Sequence, residues 1–211
     1  MQTEVVDHPL LADTMAVVRD RDTDGERFAA AVDRAATLLL TAASARLPTR
    51  LEEVATPLGP ANCRRLAEQP VLVPVLRAGL GLLPAARALF PAAPVAFVGL
   101  RRDEATAEPH WYLDALPERL ADRHVIVLEP MLATGGTMVQ VLGRLAALGA
   151  LQITLVALIC APAGLAQLER GAASLGIELR VVVGAADPGL DDRNFIFPGL
   201  GDAGDRLFGA L

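Results

Sequence analysis

Residues 125–138, with the sequence VIVLEPMLATGGTM, combine an apolar strand-like run with a loop suited to binding an anion. Glu129 ends the apolar run, and Gly135 and Gly136 lie between Thr134 and Thr137. Paired glycines let backbone N–H groups approach a ligand, and the N-terminus of a helix starting at Thr137 favours a phosphate. Glu129 can accept hydrogen bonds from sugar hydroxyls. The segment predicts a site for a phosphorylated sugar, although a threonine-capped strand-to-helix turn explains it equally well.

A second glycine-rich segment, residues 199–204 with the sequence GLGDAG, has the glycine spacing of dinucleotide-binding folds. In those folds the glycines open a helix that leads to a second strand. Only seven residues follow Gly204, and we expect that a helix and a strand do not fit there. This argues against a dinucleotide-dependent reductase. It leaves a turn that brings backbone groups and Asp202 close to a flat or polar ligand.

Short apolar runs separated by helical patterns predict the elements that position these segments. The runs are residues 71–76, 94–100, 124–129, 152–160 and 177–185, and the helical patterns are residues 80–89, 137–148 and 164–175. Nearly continuous β-branched runs are typical of parallel strands buried on both faces. An amphipathic helix is also predicted from Thr23 to about Arg46, with Asp22 or Thr23 as its N-cap. Residues 47–63 read as a connection with a short extended piece.

Together these elements predict one α/β domain spanning residues 1–211. Ligands of such sheets bind where the loops after the strands converge. Three post-strand loops stand out, and the C-terminal GLGDAGD segment joins them. The loops read RAGLG, RRDEATAEPHWY and EPMLATGGT.

Composition favours a stable globular protein outside the membrane. The chain has 211 residues, of which 53% are hydrophobic and 21% charged. No stretch approaches the ~20 uncharged apolar residues that span a bilayer, and the polar N-terminus lacks the pattern of a signal peptide. We therefore expect no membrane association and a cytoplasmic location.

The basic and metal-binding residues exclude several kinds of chemistry. All 19 basic residues are arginine, so neither a lysine-containing phosphate loop nor a lysine Schiff base is available. The net charge of −6 argues against a nucleic-acid partner. Cys63 and Cys160 have no CxxC partner, and His8, His110 and His124 have no metal-ligand spacing. We expect no metal held by histidine or cysteine.

Several motifs, in order, give the chain a resemblance to a known family. They are HPLLADTMAVVRDRDTDGERFA, VPVLRAGLG, GLRRDEATAEP, EPMLATGGT, CAPAGL and FIFPGLGDAGDRLFG. In these motifs the chain resembles the uracil phosphoribosyltransferases, which are type I phosphoribosyltransferases. The resemblance implies a mainly parallel central sheet flanked by helices, with a small C-terminal hood that binds the base. It also implies transfer of ribose 5-phosphate from 5-phosphoribosyl-1-pyrophosphate to N1 of uracil, giving UMP and pyrophosphate in pyrimidine salvage.

The resemblance assigns roles to particular residues. Arg102 and Asp202 would be catalytic, and Mg²⁺ would arrive on the donor's pyrophosphate with no direct protein ligand. The uracil site would comprise Ile196, Gly201, Asp202 and Ala203. The donor site would comprise Arg77, Arg102, Glu129, Pro130, Met131, Leu132, Ala133, Thr134, Gly135, Gly136, Thr137 and Asp202. GTP as an effector and a homodimer or higher homo-oligomer are further expectations from the resemblance.

Three positions depart from the family pattern and leave alternatives open. Glu129 stands where the family has aspartate, Thr41-Ala42-Ala43 replaces Tyr-Glu-Ala, and Ala115 replaces a lysine. A divergent paralogue with weak activity or another base is one alternative. A non-catalytic nucleotide-binding regulator on the same fold is another, although its expected basic face conflicts with the acidic net charge.

Overall fold

The computed structural model describes residues 1–102 and 109–210. The helices are α1 (Pro9–Arg19), α2 (Gly25–Ser44), α3 (Leu83–Leu89), α4 (Gly136–Ala147), α5 (Pro162–Leu175) and α6 (Ala203–Phe208), with a 3₁₀ turn at Ala78–Leu82 before α3. The strands are β1 (Gln2–Val5), β2 (Thr49–Thr56), β3 (Gly59–Leu66), β4 (Val71–Leu76), β5 (Phe97–Arg102), β6 (Pro109–Ala115), β7 (His124–Leu128), β8 (Met131–Leu132), β9 (Gln152–Cys160), β10 (Glu178–Ala186), β11 (Gly189–Leu190) and β12 (Ile196–Phe197).

The central sheet has the strand order β1-β10-β9-β7-β4-β5-β6, with β8 added beside β9. Its pairs are parallel except for β5 with β6, which is antiparallel. Strands β7 and β9 are buried along nearly their whole length, as their continuous apolar runs predict. The mainly parallel α/β architecture expected from the sequence is therefore confirmed.

Alternate residues of the buried strands pack into two cores, one on each face of the sheet. Ile126 and Val156 contact a core that includes Phe28 and Leu39 of α2. Val127 and Leu155 belong to the other core, which contains buried residues of α4 and α5. Side chains of a strand alternate between faces, so both helical layers draw on the same strands.

Helix α2 covers one face of the sheet and is capped at both ends. Asp24 Oδ1 accepts a hydrogen bond from Arg27 N at 2.8 Å, one or two residues later than the predicted cap. At the other end, Arg180 donates to the carbonyls of Ala42 and Ala43 at 3.2 and 2.8 Å. A guanidinium at a helix C-terminus satisfies carbonyls that have no partner within the helix.

Residues 47–63 differ from the predicted connection, because most of them belong to the antiparallel hairpin of β2 and β3. Polar residues on both faces of this hairpin, with only scattered apolar side chains, gave no clear strand period in the sequence. Strands β1 and β6 and helix α1 were also not predicted. No helix in the described part of the chain is long and apolar enough to span a membrane.

Two arginines fasten the C-terminal segment to the rest of the fold. Arg206 of α6 donates to the carbonyls of Val18, Leu200 and Asp20 at 2.6, 2.8 and 2.7 Å. Its guanidinium carbon lies 3.9 Å from the centre of the Phe28 ring. Arg19 of α1 donates to Asp187 Oδ2 at 2.9 Å and to the Gly199 carbonyl at 2.8 Å. These contacts hold the glycine-rich turn in a fixed position above the sheet.

Candidate active site

The loop after β7 runs beside β9 and then turns into α4. The Pro130 carbonyl accepts from Leu158 N at 2.9 Å, and the Leu132 carbonyl accepts from Ala161 N at 2.9 Å. A depression of ≈ 110 Å³ opens along this loop. It is lined by Glu129, Met131, Leu132, Ala133, Thr134, Gly135, Thr137 and Met138. Most of the donor segment predicted from the sequence is thus one continuous surface.

The end of this loop has the backbone geometry of an anion site. Gly135 is the N-cap of α4 and has φ +81°, a left-handed conformation that favours glycine. Because glycine has no side chain, it cannot cap the first N–H groups of α4, which begins at Gly136. N–H groups at the start of a 12-residue helix, together with the helix dipole, attract a phosphate.

A second glycine explains why the loop lies so close to α5. A Cβ atom on Gly164 would lie 2.6 Å from the Ala133 carbonyl oxygen and 2.9 Å from the Leu132 carbonyl oxygen. A Cβ on Gly135 would in turn lie 2.9 Å from the Gly164 carbonyl oxygen. The close packing of this loop therefore requires glycine at position 164 of the CAPAGL segment.

Glu129 is partly buried at the tip of β7, and its pKa is raised. Burial raises the pKa of Glu129 to about 8, and the negative charge of Asp202 contributes to the rise. A hydrogen bond from Met131 N–H to the carboxylate opposes it. The protonated form of Glu129 is therefore favoured below about pH 8. Because the charge of Asp202 acts on Glu129, the C-terminal turn lies close enough to the loop after β7 for the two acids to interact electrostatically.

The turn after β4 packs directly against the tip of β7. A Cβ on Gly79 would lie 2.3 Å from the Leu128 carbonyl oxygen, so only glycine fits there. Arg77 begins the same turn, and its Nη2 atom lies 3.2 Å from Asp205 Oδ1. The predicted donor arginine is thereby placed between the β7 tip and the C-terminal hood.

The hood consists of β11, β12, α6 and the turn between β12 and α6. Ile196 and Ala203 are buried, with 7% and 0% of their surface exposed. Gly201 has φ +79°, a left-handed backbone conformation. Asp202 is the N-cap of α6, and its Oδ1 accepts from Asp205 N at 3.0 Å. The four predicted uracil-site residues therefore lie on one short segment, with Asp202 exposed.

Asp187 is a site-supporting residue that sequence reasoning missed. It accepts hydrogen bonds from Gly199 N at 2.8 Å and from Arg19. Burial alone would raise the pKa of Asp187, but the hydrogen bonds from Arg19 and Gly199 and the charge of Arg19 lower it. Arg19 and Asp187 are 168 residues apart, and no local spacing links them. Their contact holds the backbone at Gly199, at the start of the C-terminal glycine-rich turn.

Arg102 is the last residue of β5, opposite Pro109 of β6. Its side chain and residues 103–108 lie outside the part of the chain that the structure describes. Its assigned role in the donor site therefore stays a prediction.

A larger cavity, of ≈ 400 Å³, lies at the opposite edge of the sheet and contains no predicted site residue. His124, Gln152 and Glu178, at the amino ends of β7, β9 and β10, line it together with Arg180. His124 Nε2 lies 2.9 Å from Thr154 Oγ1, and burial lowers the pKa of His124. The residues with the predicted chemistry occupy the carboxyl edge, where parallel α/β sheets bind ligands.

Comparison with known proteins identifies the family to which the chain is similar. A family model described as uracil phosphoribosyltransferase matches residues 5–210. The chain is 41% identical over 209 residues to a uracil phosphoribosyltransferase of Corynebacterium glutamicum, covering 99% of this chain and 97% of that protein. The structure of the AQ2163 protein from Aquifex aeolicus is similar with a TM-score of 0.91 at 35% identity, covering 99% of both chains.

A more distant structure shares the fold alone. A hypoxanthine-guanine phosphoribosyltransferase from Bacillus anthracis has a TM-score of 0.50 at 15% identity, covering 76% of this chain and 79% of that one.

The raised pKa of Glu129 predicts that the free energy of unfolding depends on pH. The folded protein binds this proton more tightly than the unfolded chain does. The free energy of unfolding should therefore fall as pH rises from about 4.5 to about 8. Glu129→Gln removes this titration. Its stability relative to wild type should rise between pH 5 and pH 9, by roughly 1.4 kcal/mol for each unit of pKa shift.

Urea unfolding of both proteins at pH 5 and pH 9 measures this difference. Glu169→Gln, which changes an exposed glutamate of α5, is the control and should follow the wild type at both pH values. An equal effect of Glu129→Gln at pH 5 and pH 9 would show that this carboxyl group titrates normally.

Proposed function

The chain belongs to the uracil phosphoribosyltransferase family, and from that membership we propose how its three site segments transfer ribose 5-phosphate to uracil. The observation that carries the proposal is their convergence. The Arg77 turn packs against the β7 tip through Gly79, and Arg77 pairs with Asp205 of the hood. Asp202 of the hood in turn raises the pKa of Glu129. A donor and a base bound to these segments would be neighbours.

The donor's 5′-phosphate binds at the start of α4, and its ribose lies along the loop towards β7. The helix N-terminus and Thr134 and Thr137 support the phosphate position. Glu129 holds the ribose hydroxyls. As a protonated acid in the free protein it can donate as well as accept a hydrogen bond, and the protein need not bury a charge before the donor arrives.

Arg77 and Arg102 stabilise the pyrophosphate as the bond from ribose C1′ to its oxygen breaks. The breaking bond leaves its electron pair on pyrophosphate, uracil N1 supplies the electron pair of the new bond to C1′, and the N1 proton passes to the departing pyrophosphate. Guanidinium groups beside the departing oxygens lower the energy of that charge separation.

Uracil binds at the C-terminal turn, where Ile196 provides an apolar wall and Gly201, Asp202 and Ala203 provide backbone groups. The alternating donors and acceptors of the base match N–H and C=O groups of an exposed turn. Arg206, Arg19 and Asp187 fix that turn. Preorganised groups lose little free energy when the base binds.

Mg²⁺ fits this site as a partner of the donor's pyrophosphate. Among the described residues, no group of three or more histidine, cysteine or acidic side chains could cage a metal. Asp202, the N-cap of α6, offers a carboxylate that could reach a hard cation through bound water while phosphate and water hold the cation itself. When bound there, Mg²⁺ would offset negative charge on the leaving group. Asp202 would orient the metal-bound donor.

A cytoplasmic location and GTP as an effector complete the proposal. The free thiols of Cys63 and Cys160 suit a reducing compartment. The effector role of GTP rests on the family resemblance and stays a prediction.

Uracil should be preferred over cytosine as the acceptor. A bound base covers the N–H that pairs with its carbonyl, and that N–H is left without a partner when the carbonyl becomes an amine, at a cost of ~1–3 kcal/mol. Steady-state kcat/KM for uracil should therefore exceed that for cytosine by about tenfold or more. Equal values, or preference for a purine, would indicate a divergent paralogue. Absence of any turnover would favour a non-catalytic regulator.

Arg102→Ala should lower kcat/KM for the donor by about tenfold to a thousandfold, because one cation beside the leaving pyrophosphate is lost. The thermal midpoint should stay within a few degrees of wild type. Arg101→Ala, which changes the neighbouring exposed arginine, is the control and should have a much smaller effect. Wild-type kinetics in Arg102→Ala would remove this residue from the site.

We also propose that the chain forms a homodimer or higher homo-oligomer. Strands β2 and β3 pair only with each other among the described strands. Leu51 and Leu58 on this hairpin are 73% and 101% exposed. An isolated two-stranded hairpin is marginally stable in water, and a second subunit would cover these side chains. Sedimentation equilibrium should give a mass of at least twice 22.1 kDa, whereas a monomer at micromolar concentration would contradict this assembly.

A further inference from the structure

Arg77 forms an ion pair with a carboxylate of the C-terminal hood. Its Nη2 atom donates to Asp205 Oδ1 at 3.2 Å, which links the turn after β4 to the first turn of α6. The two side chains are 46% and 45% exposed, so water and ligands can reach both. The Asp205 carboxylate thus binds the same Arg77 guanidinium that, in the proposed function, binds the donor's pyrophosphate.

The position of Asp205 is fixed by its surroundings. Its backbone N–H donates to Asp202 Oδ1 at 3.0 Å, which ties it to another proposed site residue. Between these acids, Gly204 is buried, and a Cβ there would lie 3.2 Å from Asp202 Oδ1 and 3.8 Å from Arg77 Nη2. Asp205 is therefore presented to Arg77 by a closely packed turn.

The partner side of the contact is equally constrained. Gly79, two residues after Arg77, packs so closely against the Leu128 carbonyl that there is no room for a Cβ atom. The turn therefore cannot move towards β7 to avoid Asp205. A pyrophosphate that approaches Nη2 of Arg77 meets the Asp205 carboxylate there.

We propose that Asp205 is a positioning residue that holds Arg77 in the donor-free enzyme and competes with pyrophosphate for its guanidinium. This inference rests on the proposed function. Pyrophosphate carries more negative charge than a carboxylate and displaces Asp205 when the donor binds. After the reaction, Asp205 takes Arg77 back and favours the departure of pyrophosphate. Asp205 therefore lowers the affinity for both the donor and the product.

The expected size of the effect follows from the exposure of the pair. An exposed ion pair shifts an equilibrium by up to about fivefold. A ligand that needs the unpaired form of Arg77 has its affinity reduced by the fraction of enzyme in that form. Removing the Asp205 charge should therefore tighten pyrophosphate binding by about two- to fivefold.

The test measures binding of Mg²⁺-pyrophosphate by isothermal titration calorimetry to wild type, Asp205→Asn and Asp205→Ala. Both variants should bind more tightly by the stated factor. The KM for the donor should fall while the KM for uracil stays unchanged, and Asp205→Glu should restore wild-type values. Asp192→Asn removes one charge from an exposed position in the loop between β11 and β12 and should change nothing.

A double-mutant cycle separates competition for Arg77 from general repulsion. In an Arg77→Gln background, Asp205→Asn should no longer tighten binding. Unchanged or weaker binding in both Asp205 variants, or a gain that persists without Arg77, would overturn the inference. Turnover of wild type with uracil is measured first. Its absence would refute the proposed function, whereas active wild type with unaltered variants would refute only the role of Asp205.

Discussion

The site depends on backbone segments that approach each other more closely than side chains allow. Gly79 meets the Leu128 carbonyl, and Gly164 meets the carbonyls of Leu132 and Ala133. A Cβ at either position would lie within 3.0 Å of a carbonyl oxygen. These contacts bring the turn after β4, the loop after β7 and the start of α5 together at one edge of the sheet. The parallel order of the strands makes that edge common to all three.

Charge distribution at this edge follows from the same close packing. Asp202 and Glu129 are near enough to raise the Glu129 pKa, and Asp205 lies against Arg77. The site therefore favours the protonated form of one acid and pairs one cation. Both states reduce the cost of holding charges near a partly buried cleft. Binding of a phosphorylated donor with Mg²⁺ would change the protonation of Glu129 and would replace Asp205 as the partner of Arg77.

Sequence patterns predicted local features well and distant contacts poorly. Strands β4 and β9 have the predicted bounds, because their apolar runs are continuous and end sharply. The β2–β3 hairpin was missed, since its exposed faces have no apolar period. The resemblance pointed to Arg77 and Asp202, yet the Arg77–Asp205 pair spans 128 residues and no spacing rule predicts it. The proton on Glu129 was also missed, because it depends on burial and on where the hood places Asp202.

Hydrogen–deuterium exchange with the donor, Mg²⁺ and uracil can show whether the β4 turn, the β7 loop and the C-terminal turn form one binding site, because ligand-bound amides exchange slowly. We expect added protection in residues 77–80, 129–138 and 199–205 and none at the amino ends of β7, β9 and β10. Protection at the cavity around His124 and Arg180 instead, or at only one of the three segments, would contradict this expectation.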